Sequence, residues 1–395
     1  MPERSDTAGN RAPQNKGEVQ RRWALLGRGC VLAAVLLLVG PWIHDRGFFA
    51  HLPACSPFVT ACGALAARSL GAATLLALPV LLLMVFVRRG FCRYVCPTGL
   101  LLELVARLRG KKRPPVPENF PRLNVWIAMA TLGGAALGYP LLLWLDPLAL
   151  LNGFLGAWRW PVEAALLVAG FGLPLLLVLE GLRPGLWCAR LCPLGAAQDL
   201  LAQRETAHSH ERRVFLATGC GLTGALAVNL VRGTKNAPLR PPGALDEERF
   251  PGVCIRCGNC TRVCPARIIR PDLGATGLAN LLTPSLHFDS DYCRENCERC
   301  TQVCPSGALM RLTHEEKIKH LIGGARIDLD SCLLAAGQEC TECIKCCPFG
   351  ALAIESKDGG FSTQPVLDRQ KCNGCGACEA NCPVRPRRAI RVVRA

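Results

Sequence analysis

The stretch CIRCGNCTRVCP at residues 254–265 decides the fold of the C-terminal part of the chain. Its first three cysteines are three residues apart, and a fourth follows four residues later, directly before a proline. The stretch CNGCGACEANCP at residues 372–383 repeats this spacing. Two further runs, CRENCERCTQVCP at 293–305 and CLLAAGQECTECIKCCP at 332–348, keep the end of the pattern and widen its first gap. The four runs use sixteen of the 25 cysteines.

This spacing is typical of the ligand run for [4Fe–4S] clusters in bacterial ferredoxins. Three closely spaced thiolates bind three irons of one cubane, and the fourth points towards a neighbouring cluster, with proline ending the loop. Four runs therefore predict four clusters in two pairs, within a small α+β ferredoxin-like domain. The predicted iron ligands are Cys254, Cys257, Cys260, Cys264, Cys293, Cys297, Cys300, Cys304, Cys332, Cys340, Cys343, Cys347, Cys372, Cys375, Cys378 and Cys382.

Two features of these runs have to be decided: the last ligand of the third run and the pairing of the runs. In the third run we assign Cys347 rather than the adjacent Cys346, because only Cys347 precedes a proline, Pro348. The spacing does not say which runs share a pair, and analogy with multi-cluster ferredoxin subunits suggests the first with the fourth and the second with the third. The alternatives to clusters are a disulfide-stapled domain and a zinc-ribbon array, but zinc sites need two CxxC pairs across a longer gap and no proline.

The part of the chain before residue 232 is mostly apolar. Over the whole chain, 50% of residues are hydrophobic and only 19% are charged. Four segments are long and uncharged enough to predict membrane spans: residues 29–43, 70–87, 125–145 and 162–179. The alternative is a set of core helices in a soluble protein.

The distribution of Lys and Arg predicts how these spans are oriented. The leader before Trp23 has five, residues 88–122 have nine and residues 182–213 have five, whereas the loops 44–67 and 146–161 have one each. Basic loops stay in the cytoplasm, so the N-terminus is predicted to be cytoplasmic, with four spans returning the chain to that side. The net charge of +16 is thus mostly cytoplasmic loop charge, and we expect no nucleic-acid partner.

Residues 211–216, ERRVFL, resemble a twin-arginine export signal before the apolar segment 214–231. Clusters are built in the cytoplasm, so a domain that carries them must be exported already folded. We therefore expect a fifth span and a periplasmic ferredoxin domain; the alternative is an ordinary or interfacial helix with the domain inside. The predicted organisation is a leader (1–22), a four-span domain (23–203), the twin-arginine segment (204–232), a Pro-rich linker (233–243) and the four-cluster domain (244–395).

A second cysteine pattern lies in the apolar part. FCRYVCPTG at 91–99 and WCARLCPLG at 187–195 each contain Cys-x3-Cys-Pro after a predicted span. Two spans followed by this motif therefore occur twice, as an internal repeat. Cys92, Cys96, Cys188 and Cys192 could hold a metal or cluster together, act as redox dithiols, contact an electron donor, or only mark helix starts.

The remaining cysteines have simpler interpretations. Cys55 and Cys62 either form a disulfide in an oxidising compartment or are free thiols. Cys30 and Cys220 are predicted to be packing residues.

A quinol-oxidising membrane part needs groups that accept protons. The candidates near the outer surface and, for the last, the inner surface are His44, Asp45, His51, Asp146, Glu163 and Glu180, although such residues are often interfacial anchors. The chain has no CxxCH haem motif, Walker loop, dinucleotide fingerprint or nucleophile motif. We therefore expect an electron-transfer subunit rather than a stand-alone catalyst.

Two known families share these motifs. Residues 23–203, with both Cys-x3-Cys-Pro motifs and DPLA at 146–149, resemble the NapH-type membrane ferredoxin proteins, relatives of NosR. Residues from 212 onward, with the twin arginine, RPPGA at 240–244 and four cluster runs, resemble the NapG-type exported ferredoxins of periplasmic nitrate reduction. Only residues 194–213 separate the two parts, so the cytoplasmic cluster pair of NapH-type proteins is missing and the chain looks like a fusion.

The resemblance implies a route for electrons. They would leave membrane quinol and pass through four [4Fe–4S] clusters to a periplasmic redox partner, with the chain held in the lipid bilayer of the bacterial inner membrane. The alternative is a redox-sensing or maturation factor for a respiratory metalloenzyme, with the clusters facing the cytoplasm.

Overall fold

The computed structural model describes residues 12–39, 51–69, 73–87, 89–108, 121, 123–158, 164–202, 208–231, 237–357 and 362–394. The described residues before position 232 are helical. Their helices are α1 (Ala12–Val39), α2 (His51–Ala54), α3 (Pro57–Ala67), α4 (Ala73–Phe86), α5 (Gly90–Tyr94), α6 (Pro97–Leu108), α7 (Leu123–Ala136), α8 (Pro147–Ala157), α9 (Ala164–Gly170), α10 (Gly172–Leu182), α11 (Pro193–Ala202) and α12 (His208–Val231), with a 3₁₀ turn at Leu143–Leu145 and a π-helical turn at Trp187–Leu191.

In the described part of the chain, one helical stretch is both long and apolar enough to cross a membrane: Ala164–Leu182, which consists of α9 and α10. Shorter apolar helices occupy Pro57–Ala67, Thr74–Phe86, Leu123–Ala136, Pro147–Ala157 and Val214–Val228. The span predicted over residues 125–145 is too long, since α7 ends at Ala136 and the chain turns at Gly138, whose φ is 84°. Helix α7 has fourteen residues and is therefore about 21 Å long.

Helices α7 and α12 approach each other closely through small residues. A Cβ on Gly133 would lie 2.4 Å from the backbone oxygen of Thr218, and one on Gly221 would lie 2.1 Å from that of Ala130. Glycine is therefore needed at both positions for the two backbones to meet. The segment resembling an export signal is thus packed on the helical part.

From residue 237 onward the chain alternates short helices and strands. The helices are α13 (Phe250–Val253), α14 (Asn259–Val263), α15 (Arg299–Gln302), α16 (His314–Lys319), α17 (Glu342–Lys345) and α18 (Ala377–Asn381), and 3₁₀ turns lie at Leu278–Asn280 and Leu329–Ser331. The strands are β1 (Ile269–Pro271), β2 (Pro284–Leu286), β3 (Gly324–Ile327), β4 (Leu352–Lys357), β5 (Ser362–Leu367) and β6 (Ile390–Val393).

Strand pairing divides this part into two similar units. In the first, β1 pairs antiparallel with β2 between the first two cysteine runs, and an Ala244–Leu309 bridge joins the residues outside them. In the second, β4 pairs with β5 between the last two runs, and β3 pairs with β6 outside them. Each unit therefore encloses two consecutive runs.

The region predicted to be a linker belongs in part to the first unit. Arg240 is only 8% exposed and its guanidinium forms an ion pair with Glu247, 2.6 Å from Nη2 to Oε1. Its Nη1 also donates to Thr283 Oγ1 at 2.8 Å, and the guanidinium lies 4.5 Å from the centre of the Phe250 ring. A buried, fully paired arginine fixes the chain, so the linker prediction is wrong from residue 237 onward.

Within the second unit Gly374 contacts Gly323, next to β3, and this contact predicts a stability difference. Gly374 and Gly337 both have a φ of 78°, but a Cβ on Gly374 would lie 2.3 Å from the Gly323 oxygen whereas one on Gly337 would meet open space. Gly337→Ala should cost about 1–2 kcal/mol from backbone strain alone, and Gly374→Ala about 3 kcal/mol or more because the clash is added. The thermal midpoint for loss of cluster absorbance in the intact protein measures both. Equal midpoints in the two variants would contradict this contact.

Candidate iron–sulfur sites

The first site brings together cysteines from two different runs. Cys254, Cys257 and Cys260 of the first run line one cavity with Cys304, the last cysteine of the second run. Gly258, with a φ of 72°, allows the turn between Cys257 and α14, which then carries the chain away to Cys264.

The second site is the reciprocal arrangement. Cys293, Cys297 and Cys300 line one cavity with Cys264, which ends the first run. Cys264 has an extended backbone, because Pro265 follows it, and this directs the chain out of α14 towards the second run. The first two runs therefore form a pair that exchanges fourth cysteines.

The third and fourth sites repeat this exchange. Cys332, Cys340 and Cys343 line one cavity with Cys382, the last cysteine of the fourth run. In the fourth site the Cys375 and Cys378 thiols are close enough to Cys372 and Cys347 to interact electrostatically. The pairing by analogy, first with fourth and second with third, is thus wrong; strand pairing within each unit joins consecutive runs instead.

The two cysteines at the end of the third run have different surroundings. Cys347 Sγ accepts a hydrogen bond from the Ala351 N–H at 3.4 Å, as Cys304 Sγ does from Leu309 at 3.3 Å. Cys346 Sγ instead donates to the Cys343 carbonyl at 3.6 Å. Amide donation to sulfur is a feature of cluster ligands, so these contacts favour Cys347.

The donor set at these sites fits clusters. All 25 cysteines are free, so the disulfide alternatives, including Cys55–Cys62, are not formed. No three His, Cys, Asp or Glu side chains in the described ranges are arranged to hold a single metal ion, whereas four cysteines line each of the first three sites. Desolvation by burial raises the pKa of the Cys343 thiol to about 11 and that of Cys375 to about 12. Iron must therefore displace protons when it binds.

The four sites form one row. Cys300 of the second site interacts electrostatically with Cys260 of the first. The Cys293 N–H donates to the Cys375 carbonyl at 2.9 Å, and the two thiols interact. The order in space is therefore first, second, fourth and third.

The first site lies against the helical part. Leu166 and Ala169 of α9 line its cavity. Asn152 of α8 is buried, and its Nδ2 donates to the Cys257 carbonyl at 3.0 Å and to Asn259 Oδ1 at 2.7 Å. One end of the row thus touches the helices.

A buried lysine lies beside the second site. Lys317 is fully buried, its Nζ donates to the Arg294 carbonyl at 2.6 Å, and its positive charge interacts with the Cys293 thiol. A positive charge beside a ligand sulfur favours the reduced cluster, which carries one more negative charge.

Lys317→Met should therefore lower the potential of the second cluster, on the order of 60 mV, a tenfold change for one electron. Redox titration followed by EPR measures this shift. Lys319→Met, an exposed change on the same helix, is the control and should leave all potentials unchanged. Equal potentials in both variants would show that Lys317 does not act on the cluster.

The two Cys-x3-Cys-Pro motifs meet in the helical part. Cys92, Cys96, Cys188 and Cys192 line one cavity of about 300 Å³, together with Arg28, Glu103 and Glu180. Glu180 accepts the N–H of Gly185 at 2.6 Å. Asp146 is fully buried, accepts from Ser56 Oγ at 2.6 Å and caps α8.

Other predicted residues lie elsewhere. Cys30 and Cys220 are exposed, so their assignment as packing residues is wrong. His44, Asp45, Glu163 and the side chain of His51 fall outside the described residues. Sequence reasoning missed Lys317 and Asn152; Lys317 stands among other charged residues in HEEKIK, which is typical of a solvated helix.

Comparison with known proteins agrees with this geometry. A family model described as "4Fe-4S dicluster domain" matches residues 253–308 and 313–385, one match for each unit. A second, "4Fe-4S binding domain", matches residues 70–115 and 164–209. The fold and sites thus define a ferredoxin-type [4Fe–4S] electron-transfer protein.

Similar proteins show which family the chain belongs to. The ferredoxin-type protein MauM of Methylobacillus flagellatus, named for methylamine utilization, is 32% identical over 203 residues, 48% of this chain and 86% of MauM. NapG of Escherichia coli K12 is 33% identical over 199 residues, 46% of this chain and 85% of NapG. NapF of the same strain is 35% identical over 147 residues, 37% of this chain and 80% of NapF. The chain belongs to this family of ferredoxin-type proteins. No solved structure matches it.

Proposed function

We propose that the chain is a membrane-anchored electron relay, which takes electrons from membrane quinol and passes them through four [4Fe–4S] clusters to a periplasmic redox partner. The observation that carries the proposal is the contact between the first site and the helices, through Asn152, Leu166 and Ala169. Each cluster takes up and gives off one electron.

The row of sites gives the relay a direction. The first site lies against the helical part, whereas the third site lies at the other end of the row, where Cys340 and Cys343 are partly exposed. An acceptor protein needs a cluster near the surface. We therefore assign the third cluster, at the far end of the row, as the electron donor to the partner.

Large apolar side chains on the outside of the helices support membrane anchoring. Phe86 of α4 is 81% exposed, Phe171 beside α10 is 60% exposed, and Phe215 of α12 is 78% exposed. Exposed apolar surface of this kind is typical of contact with lipid or with another protein. Three features favour contact with lipid: the long apolar helix Ala164–Leu182, the close packing of α7 on α12, and the basic loops. We propose that the helices form a membrane bundle like that of NapH-type proteins, in which α12 is a fifth span.

The side of the membrane on which the four-cluster part lies distinguishes this relay from a redox-sensing or maturation factor with clusters in the cytoplasm. Protease added to sealed spheroplasts should digest the C-terminal part if it is periplasmic. A protected C-terminal part would support the factor instead.

The electron source is tested separately. A quinol analogue added to anaerobic membranes should reduce the clusters, seen by EPR. Clusters that dithionite reduces and quinol does not would exclude quinol as the source.

A further inference from the structure

We infer that Cys92, Cys96, Cys188 and Cys192 jointly bind one additional iron–sulfur cluster, shared between the two repeats of the helical part. Each of the segments 70–115 and 164–209 contains only two cysteines. Neither can supply the four thiolates of a cluster alone. The structure brings both pairs to the same cavity, so the repeats together make one site.

The four thiols are mutually close. Electrostatic interactions connect all six pairs among them. The cavity volume is about 300 Å³, against about 20 Å³ at the second and third sites. It therefore has more open space than either of these two cluster sites.

Hydrogen-bond donors already surround these sulfurs. Cys96 and Cys192 each stand before a proline that begins a helix, and their sulfurs accept from the N–H groups of Gly99 at 3.3 Å and Gly195 at 3.4 Å. Gln198 Nε2 donates to Cys92 Sγ at 2.9 Å. Donors to ligand sulfurs stabilise the negative charge of a cluster.

The surroundings of the cavity also offer groups that suit a bound anion. Trp187 lines the cavity, and its buried Nε1–H has no partner among the described residues, which is costly unless a bound group accepts it. The Arg89 guanidinium interacts electrostatically with Cys92 and Cys188, and Arg28 lines the same cavity. Both arginines also form ion pairs, Arg89 with Asp199 and Arg28 with Glu103.

The location also suits the relay, and this step rests on the proposed function. Pro147, at the start of α8, lines the cavity, and Asn152 on the same helix binds the loop of the first site. Five residues of helix separate them, about 7.5 Å along the axis. The additional cluster would pass electrons from the helical part to the first cluster.

Iron analysis of the anaerobically purified full chain tests the site. Five cubanes predict about 20 iron atoms per chain, against about 16 for four. Cys92→Ser and Cys188→Ser should each remove about four iron atoms, and their combination no more than about four, because both bind the same cluster. Cys30→Ser and Cys220→Ser, exposed cysteines on α1 and α12, are the controls and should retain all iron.

A second measurement protects the test against misfolding of the variants. In the unsubstituted anaerobic protein, the four cysteines should resist alkylation until iron is chelated. Full iron in both variants, or four reactive thiols in the iron-loaded protein, would overturn the site. The proposed relay fails differently: iron content would respond as predicted, but quinol would not reduce the clusters.

Discussion

Cys304→Ala is expected to destroy the first cluster, although Cys304 belongs to the second run. It lines the first cavity with Cys254, Cys257 and Cys260, so its loss leaves that cluster one ligand short. About four iron atoms per chain should be lost. Iron and acid-labile sulfide in the full chain measure this.

Double variants identify which cluster disappears. Cys257→Ala removes another ligand of the first site, so adding it to Cys304→Ala should cost no further iron. Cys297→Ala lies in the same run as Cys304 but lines the second cavity, so that combination should lose about eight iron atoms. The opposite pattern, additive with Cys257 and non-additive with Cys297, would show that each run holds its own cluster.

Cys347→Ala is expected to remove the fourth cluster, whereas Cys346→Ala should leave it intact. Cys347 interacts with the fourth site and accepts an amide hydrogen bond, while the Cys346 thiol donates to a carbonyl. Cys346→Ala is a matched control, since it changes the adjacent cysteine. Cys347→Ala should lose about four iron atoms, and no more when combined with Cys375→Ala.

Cys346, next to Cys347, is the alternative ligand of the fourth cluster. The Cys346 thiol also interacts electrostatically with Cys378. If Cys346→Ala loses iron and Cys347→Ala does not, the choice of ligand made from Pro348 is wrong.

The cysteine spacing was sufficient to predict iron–sulfur ligation, because three thiolates in one loop are a local feature. It could not predict which runs pair. That depends on contacts between distant residues, namely the Ala244–Leu309 bridge and the pairing of β3 with β6. Analogy gave the wrong answer here.

Composition predicted apolar helices, but their ends depended on the backbone. The helix expected to reach Leu145 ends at Ala136, because the chain turns there. The predicted linker contained Arg240, whose partners Glu247 and Thr283 come from later in the chain and leave no local signal. The common cavity of the two Cys-x3-Cys-Pro motifs likewise needed the packing of α1, α6 and α10.

In the proposed relay, electrons enter the row at the first cluster and leave it at the third. Quinol reduction of anaerobic membranes, followed by freeze-quench EPR, tests this with Cys257→Ala and Cys343→Ala. Losing the first cluster should leave the remaining ferredoxin clusters oxidised, whereas losing the third should leave the others reducible. Equal reduction of the remaining clusters in both variants would contradict the order.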